Sequence, residues 1–231
     1  MRGVLQQGEG KDLLFLHGYL ASKESFYPQI KYFSQFYRVT AVDFPGFGQA
    51  EALSSPWSVE EYANWTAEQI KLLGLKNPHI IAHSFGGRVA VKLLSRGEEI
   101  DRAVLCGCAG IIPKRGYKYR FKVKAYRIVK KIAPRYAERK FGSAEYRSLS
   151  PLMKESYKKI VNEDLREDAK KISRPVLFVN GEKDGETPVS SAKIYCSCVR
   201  GSKLLVLKDC GHFAHLDNPL AFNLAAEEFL T

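Results

Sequence analysis

Short, uninterrupted apolar runs recur along this chain, and each one ends in a turn-rich stretch. Leu13-Leu14-Phe15-Leu16 stops at His17-Gly18, and Arg38-Val39-Thr40-Ala41-Val42 stops at Asp43-Phe44-Pro45-Gly46-Phe47-Gly48. His79-Ile80-Ile81-Ala82, Arg102-Ala103-Val104-Leu105, Val176-Leu177-Phe178-Val179 and the run 203–207 behave alike. A strand apolar on both faces must be buried on both faces, as in a parallel sheet. Helical signals fall between these runs. Ser58 with Glu61 reads as a capping box opening a helix to about Leu73, with Gly74 as its stop. A second helix runs from Gly86 to about Arg96, a third opens at Pro188, and a fourth spans 219–230. Strand and helix in alternation make the fold class α/β, a mostly parallel sheet with helices on both faces.

Residues 111–174 break the rhythm. Phe121, Ala125, Ile128, Val129 and Ile132 share one helical face, with lysines and arginines mostly opposite, and a further helix is expected over 151–161. The segment is too short for an independent domain and reads as a helical cap inserted between core segments 1–110 and 175–231. It holds 20 Lys and Arg against 7 Asp and Glu, a balance of 20 − 7 = +13, so the rest of the chain carries 11 − 13 = −2. The basic charge therefore belongs to the cap. Such a cap suits an anionic small-molecule substrate or peripheral contact with an anionic membrane. Nucleic acid fits poorly, because no nucleic-acid motif accompanies the charge. No apolar run approaches a membrane span, and the polar residues after Met1 do not resemble a secretory signal, so the expected location is the cytoplasm. The five cysteines, two C-x-C pairs and the single Cys210, lack metal-knuckle spacing, so neither metal nor cofactor is expected.

One segment carries chemistry. Ala82-His83-Ser84-Phe85-Gly86-Gly87 lies between a buried strand and a helix. A nucleophile on so sharp a turn needs small residues two positions either side, which Ala82 and Gly86 supply. The helix N-terminus behind it would favour developing negative charge. A serine hydroxyl needs a base, and of five histidines only His212 and His215 sit in a loop after a late strand. His212 directly follows Gly211; His215 reads as structural. An acid would come from the loop after strand 176–179, which offers Asp184 with Glu182 and Glu186 as rivals.

These segments resemble the α/β-hydrolase superfamily. Five motifs occur in its order: His17-Gly18-Tyr19, Asp43-x-Pro45-Gly46-x-Gly48, the elbow at Ser84, Gly181-x-x-Asp184 with Pro188, and Gly211-His212. The resemblance implies Ser84 as nucleophile, Asp184 as orienting acid, His212 as base, and an oxyanion hole from the N–H groups of Tyr19 and Phe85. It gives Asp43 a structural role. Serine at the elbow departs from dehalogenases and epoxide hydrolases, and a basic cap departs from iminopeptidases. Ser84-x-Gly-Gly-Arg88 is also similar to menaquinone-pathway (MenH-like) lyases, where this arginine helps hold an anionic substrate. The reading that follows is hydrolysis of an ester or thioester through an acyl-serine. Its rivals are a MenH-like lyase or carbon–carbon hydrolase, and a non-catalytic ligand-binding protein.

Overall fold

A computed structural model of the chain describes residues 2–112, 146 and 149–231. Among them, seven strands form one sheet: β1 (Val4–Gln7), β2 (Lys11–Leu16), β3 (Tyr37–Val42), β4 (His79–His83), β5 (Ala103–Cys106), β6 (Val176–Gly181) and β7 (Lys203–Leu207), in the order β1-β3-β2-β4-β5-β6-β7. All neighbours run parallel except β1, which pairs antiparallel with β3 from Val4 opposite Val42 to Gln7 opposite Val39. The six expected strands are all present. The leading strand β1 was not anticipated, because Val-Leu-Gln-Gln is half polar and lies on the sheet edge.

Side chains alternate across the sheet. Leu14, Leu16, Ile80, Ala82 and Leu105 belong to one apolar cluster. Leu13, Phe15, Ile81, Val104 and Cys106 belong to another on the opposite face. The first is covered by α2 (Val59–Leu72) and α3 (Phe85–Ser95), with α6 (Val189–Cys198) further along; the second is covered by α1 (Tyr27–Phe33) and α8 (Pro219–Leu230). Helix α2 opens on the expected box, with the Glu61 carboxylate accepting the Ser58 N–H at 2.7 Å. Gly74 stops it at φ +63°. Cys196 and Cys198 lie on α6, and all five cysteines are free.

The helix expected at 121–132 lies outside the described residues, so most of the inserted segment does too. Its second helix is present as α4 (Pro151–Val161), followed by the single turn α5 (Arg166–Ala169). No helix among the described residues is long and apolar enough to cross a membrane.

Topology fixes where function belongs. From β2 the chain first steps outward to β3, then crosses back to place β4 on the other side of β2. The order reverses between β2 and β4, and loops leaving their carboxyl ends diverge to open a crevice. His17-Gly18-Tyr19 and Ser84 leave those two strand ends.

Candidate active site

Ser84 sits between β4 and α3 with φ 48° and ψ −105°, a backbone conformation L-residues rarely hold. Three backbone bonds keep it there. Its N–H donates to the Cys106 carbonyl at 2.9 Å, and its carbonyl accepts from Gly87 at 3.1 Å and Ala109 at 3.2 Å. Gly86 is obligatory: a Cβ there would collide with the Leu16 and His17 carbonyls of β2 and its loop. Phe85 opens α3, so its N–H has no intrahelical acceptor and lies beside the serine.

The turn after β2 is rigid for a different reason. Buried His17 accepts the Phe44 N–H at Nε2 (3.0 Å), so Nδ1 carries the hydrogen donated to the Gly18 carbonyl at 2.7 Å. Burial holds His17 at about 4, so it stays neutral. Asp43 is consumed in structure as expected, accepting from the Lys23 N–H (2.7 Å), Lys23 Nζ (2.8 Å) and the Gln49 N–H (2.9 Å).

Asp184 and His212 meet across the ends of β6 and β7. His212 Nδ1 lies 2.9 Å from Asp184 Oδ2, and the carboxylate also accepts from the Thr187 hydroxyl (2.7 Å) and the Glu186 and Thr187 N–H groups (both 2.9 Å). Burial alone would raise Asp184, but the bonds from His212 and Thr187 outweigh it and take the carboxyl to about 2. Burial works to lower His212, yet the Asp184 bond and charge, with Glu186 adding, leave it raised above 6.5. Because the carboxylate can only accept, Nδ1 of the neutral imidazole carries the hydrogen, which leaves Nε2 without one and able to accept a proton.

Ser84, His212, Tyr19, Phe85 and Arg88 line one cavity of about 430 Å³. The rivals fall elsewhere or play other parts. Glu182 points to the Asp209 N–H at 3.3 Å. Glu186 brings its largely exposed carboxylate within 3.5 Å of His212 Nε2. His215 is buried on the turn α7 (Ala214–Asp217), 3.7 Å from Cys106 Sγ, and held at about 4 by burial. Thr187 was missed; the only signal was its place just before Pro188 in the acid loop.

Arg88 is not a solvated helix residue. It is 7% exposed, and its Nη1 donates to the carbonyls of Ile160 (2.8 Å) and Glu163 (2.9 Å) at the end of α4. No carboxylate among the described residues pairs with it. Helix α4 lies over the site: Tyr157, Ile160 and Val161 line the cavity, and the Tyr19 hydroxyl donates to the Met153 carbonyl at 3.2 Å. No group of metal-ligating residues occurs among the described residues.

A model of the alpha/beta hydrolase family matches residues 13–226. The chain is 36% identical over 104 residues to (E)-2-((N-methylformamido)methylene)succinate hydrolase of Acinetobacter baylyi, a match spanning 44% of this chain and 40% of that protein. It is 26% identical over 251 residues to an AB hydrolase superfamily protein of Bacillus subtilis, covering 96% of this chain and 92% of that one. An esterase from Exiguobacterium antarcticum superposes with a TM-score of 0.78 at 24% identity, covering 98% of this chain and 94% of that one.

Proposed function

From a chain that belongs to the alpha/beta hydrolase family, we propose a serine hydrolase that cleaves a carboxylic ester or thioester of a small to medium acyl substrate through an acyl-serine. The observation that carries this reading is the shared cavity: a serine held at positive φ against a helix N-terminus lines the same pocket as a histidine whose Nδ1 is bonded to a carboxylate.

In this reading Ser84 Oγ attacks the substrate carbonyl carbon and His212 Nε2 takes its proton. The imidazolium is stabilised by Asp184, which stays ionised. The carbonyl oxygen, now an anion, accepts from the Phe85 and Tyr19 N–H groups; each such donor is usually worth about 3–4 kcal/mol in the transition state. Collapse expels the alcohol or thiol, protonated by His212. Water then attacks the acyl-serine with His212 again as base, releasing the acid and restoring Ser84.

Arg88 supports an acidic group on the substrate. A buried guanidinium is ordinarily matched by an anion, and among the described residues the acceptors on this one are carbonyls. The relative from Acinetobacter is named for a succinate-type substrate, which agrees. The same arginine favours the second reading, a MenH-like lyase or carbon–carbon hydrolase acting on an anionic substrate; in the lyase the triad's base removes a substrate proton and no acyl-enzyme forms. A complete Ser–His–Asp set counts against a purely ligand-binding protein.

The test is p-nitrophenyl ester hydrolysis across acetate, butyrate, octanoate and a carboxylate-bearing hemisuccinate, wild type beside Ser84→Ala. Loss of kcat by on the order of 10³ or more in the variant is expected. Turnover surviving in folded Ser84→Ala would overturn the nucleophile. No ester turnover by the wild type would favour the second reading.

A further inference from the structure

The residue before the nucleophile does not point into solvent or into an apolar cluster alone. His83 ends β4 and is 1% exposed. Its Nε2 lies 3.0 Å from the His212 backbone carbonyl. A carbonyl only accepts, so Nε2 carries the hydrogen and Nδ1 of the neutral ring is bare. That bare nitrogen has no hydrogen-bond partner among the described residues and is buried against Gly18, where an added Cβ would lie 2.8 Å from it. The ring stands with its centroid 4.8 Å from that of His212, 4.9 Å from Phe213 and 4.7 Å from His215. One imidazole thus touches the turn that leads to Tyr19, the loop that carries the base, and the strand that carries Ser84.

The orphan nitrogen is informative. Leaving a buried acceptor unbonded costs about 1–3 kcal/mol, whereas a phenylalanine or leucine would fill similar space without that cost. A histidine here is explained if its other nitrogen performs a task a hydrocarbon cannot. That task is the bond to the His212 carbonyl. His215 braces the ring from behind, its own carbonyl accepting from Gln29 Nε2 at 2.8 Å. Burial also pushes His83 well below its ordinary value, so the neutral donor persists across the working pH range.

We propose that His83 is a positioning residue, which holds the His212 loop through its Nε2–H and seats the Gly18–Tyr19 turn against its Nδ1 edge, and so sets turnover rather than substrate binding. This rests on the reading of Ser84 and His212 as nucleophile and base. An error of about 1 Å in such placement can cost on the order of 10²-fold in rate.

Three variants separate the bond from the bulk. His83→Gln can bring an amide N–H to the Nε2 position, His83→Asn reaches only as far as Nδ1, and His83→Phe keeps ring volume without a donor. Each is assayed for kcat and KM on p-nitrophenyl butyrate, for thermal midpoint, and for the rate of Ser84 labelling by a fluorophosphonate. In that labelling Ser84 Oγ attacks phosphorus, fluoride leaves, and the serine proton passes to His212. His83→Phe and His83→Asn should lose about 10- to 100-fold in kcat, with KM within about twofold and labelling slowed in parallel. His83→Gln should recover most of the loss. Equal rates for Gln and Asn, or a change confined to KM, would overturn the proposal while leaving the hydrolase reading intact. A wild type that is not labelled at Ser84 would remove both.

Discussion

The loops at the carboxyl edge of the sheet and the helix that roofs them, α4, are held in different ways. At the Ser84 turn, position is enforced by collision and by strain. Ser84 is locked at positive φ by three backbone bonds, and Gly86 has no room for one added carbon. Each contact is backbone on backbone, so no rotamer change can absorb an error. The roof is held by side chains reaching to carbonyls: Tyr19 to Met153, Arg88 to Ile160 and Glu163, Lys159 to Pro56, with Ser156 Oγ accepting the Trp57 N–H. Lys92 adds pairs with Glu163 at 2.8 Å and Asp168 at 3.0 Å. Such ties are individually worth about 0.5–1.5 kcal/mol, up to about 3 when one partner is charged. The site therefore combines a floor that cannot adjust with a roof that can be loosened one tie at a time, which suits a constant reaction under a variable substrate cover.

Substitution at Gly86 tests the floor and carries the largest expected effect. Gly86→Ala must push the Leu16 and His17 carbonyls away from α3, moving β2 against β4. A loss of about 3 kcal/mol in urea unfolding is expected, together with at least about 10²-fold in kcat as Tyr19 leaves its place. Gly74→Ala is the comparison: it faces open space at φ +63° and should cost only about 1 kcal/mol, with turnover unchanged. Similar losses at both sites would show that the edge is no stiffer than an ordinary helix stop.

The roof is probed by Arg88→Met, an intermediate case. It strands two carbonyls at the end of α4 but also removes a buried charge that no carboxylate among the described residues matches, so the net expected cost is about 1–3 kcal/mol. Neutral esters should lose less than about tenfold in kcat/KM while the hemisuccinate ester loses more. Equal losses on both substrates would leave Arg88 as a latch for α4 and remove its proposed role in substrate binding.

The same contrast explains what could be read from the residues. Every parallel strand was legible because burial on both faces leaves an unbroken apolar run, and Ser84 was legible because an elbow demands Ala82 and Gly86 around it. Asp184 was separable from Glu182 and Glu186 only through a family resemblance, since all three share one loop; the structure gives the Thr187 and His212 bonds to Asp184 alone. The ties of α4 were not legible. Arg88 to Ile160 joins residues 72 positions apart and involves a backbone carbonyl, which has no sequence signature. His83 escaped for a similar reason: strand alternation places it opposite Ser84, and only the tertiary fold brings the His212 loop around to that side. Strand β1 escaped because an edge strand need not be apolar.

The smallest expected effect lies where floor and roof face each other, at Glu186. Its carboxylate sits 3.5 Å from His212 Nε2, the nitrogen that receives the Ser84 proton in the proposed mechanism. A nearby negative charge favours imidazolium, and Glu186 contributes to the raised position of His212 after the larger effects of burial and Asp184. Imidazolium cannot act as the base, so kcat/KM should rise with pH through a midpoint above 6.5. Removing the charge in Glu186→Gln favours the neutral ring and should move that midpoint downward. With a side chain 72% exposed, the charge is screened by water, so the downward shift should be small. Raising the ionic strength should produce a similar shift in the wild type and almost none in the variant. A midpoint that stays put, or moves upward, would mean that Asp184 alone governs the base and that the exposed rim has no electrostatic hold on the floor.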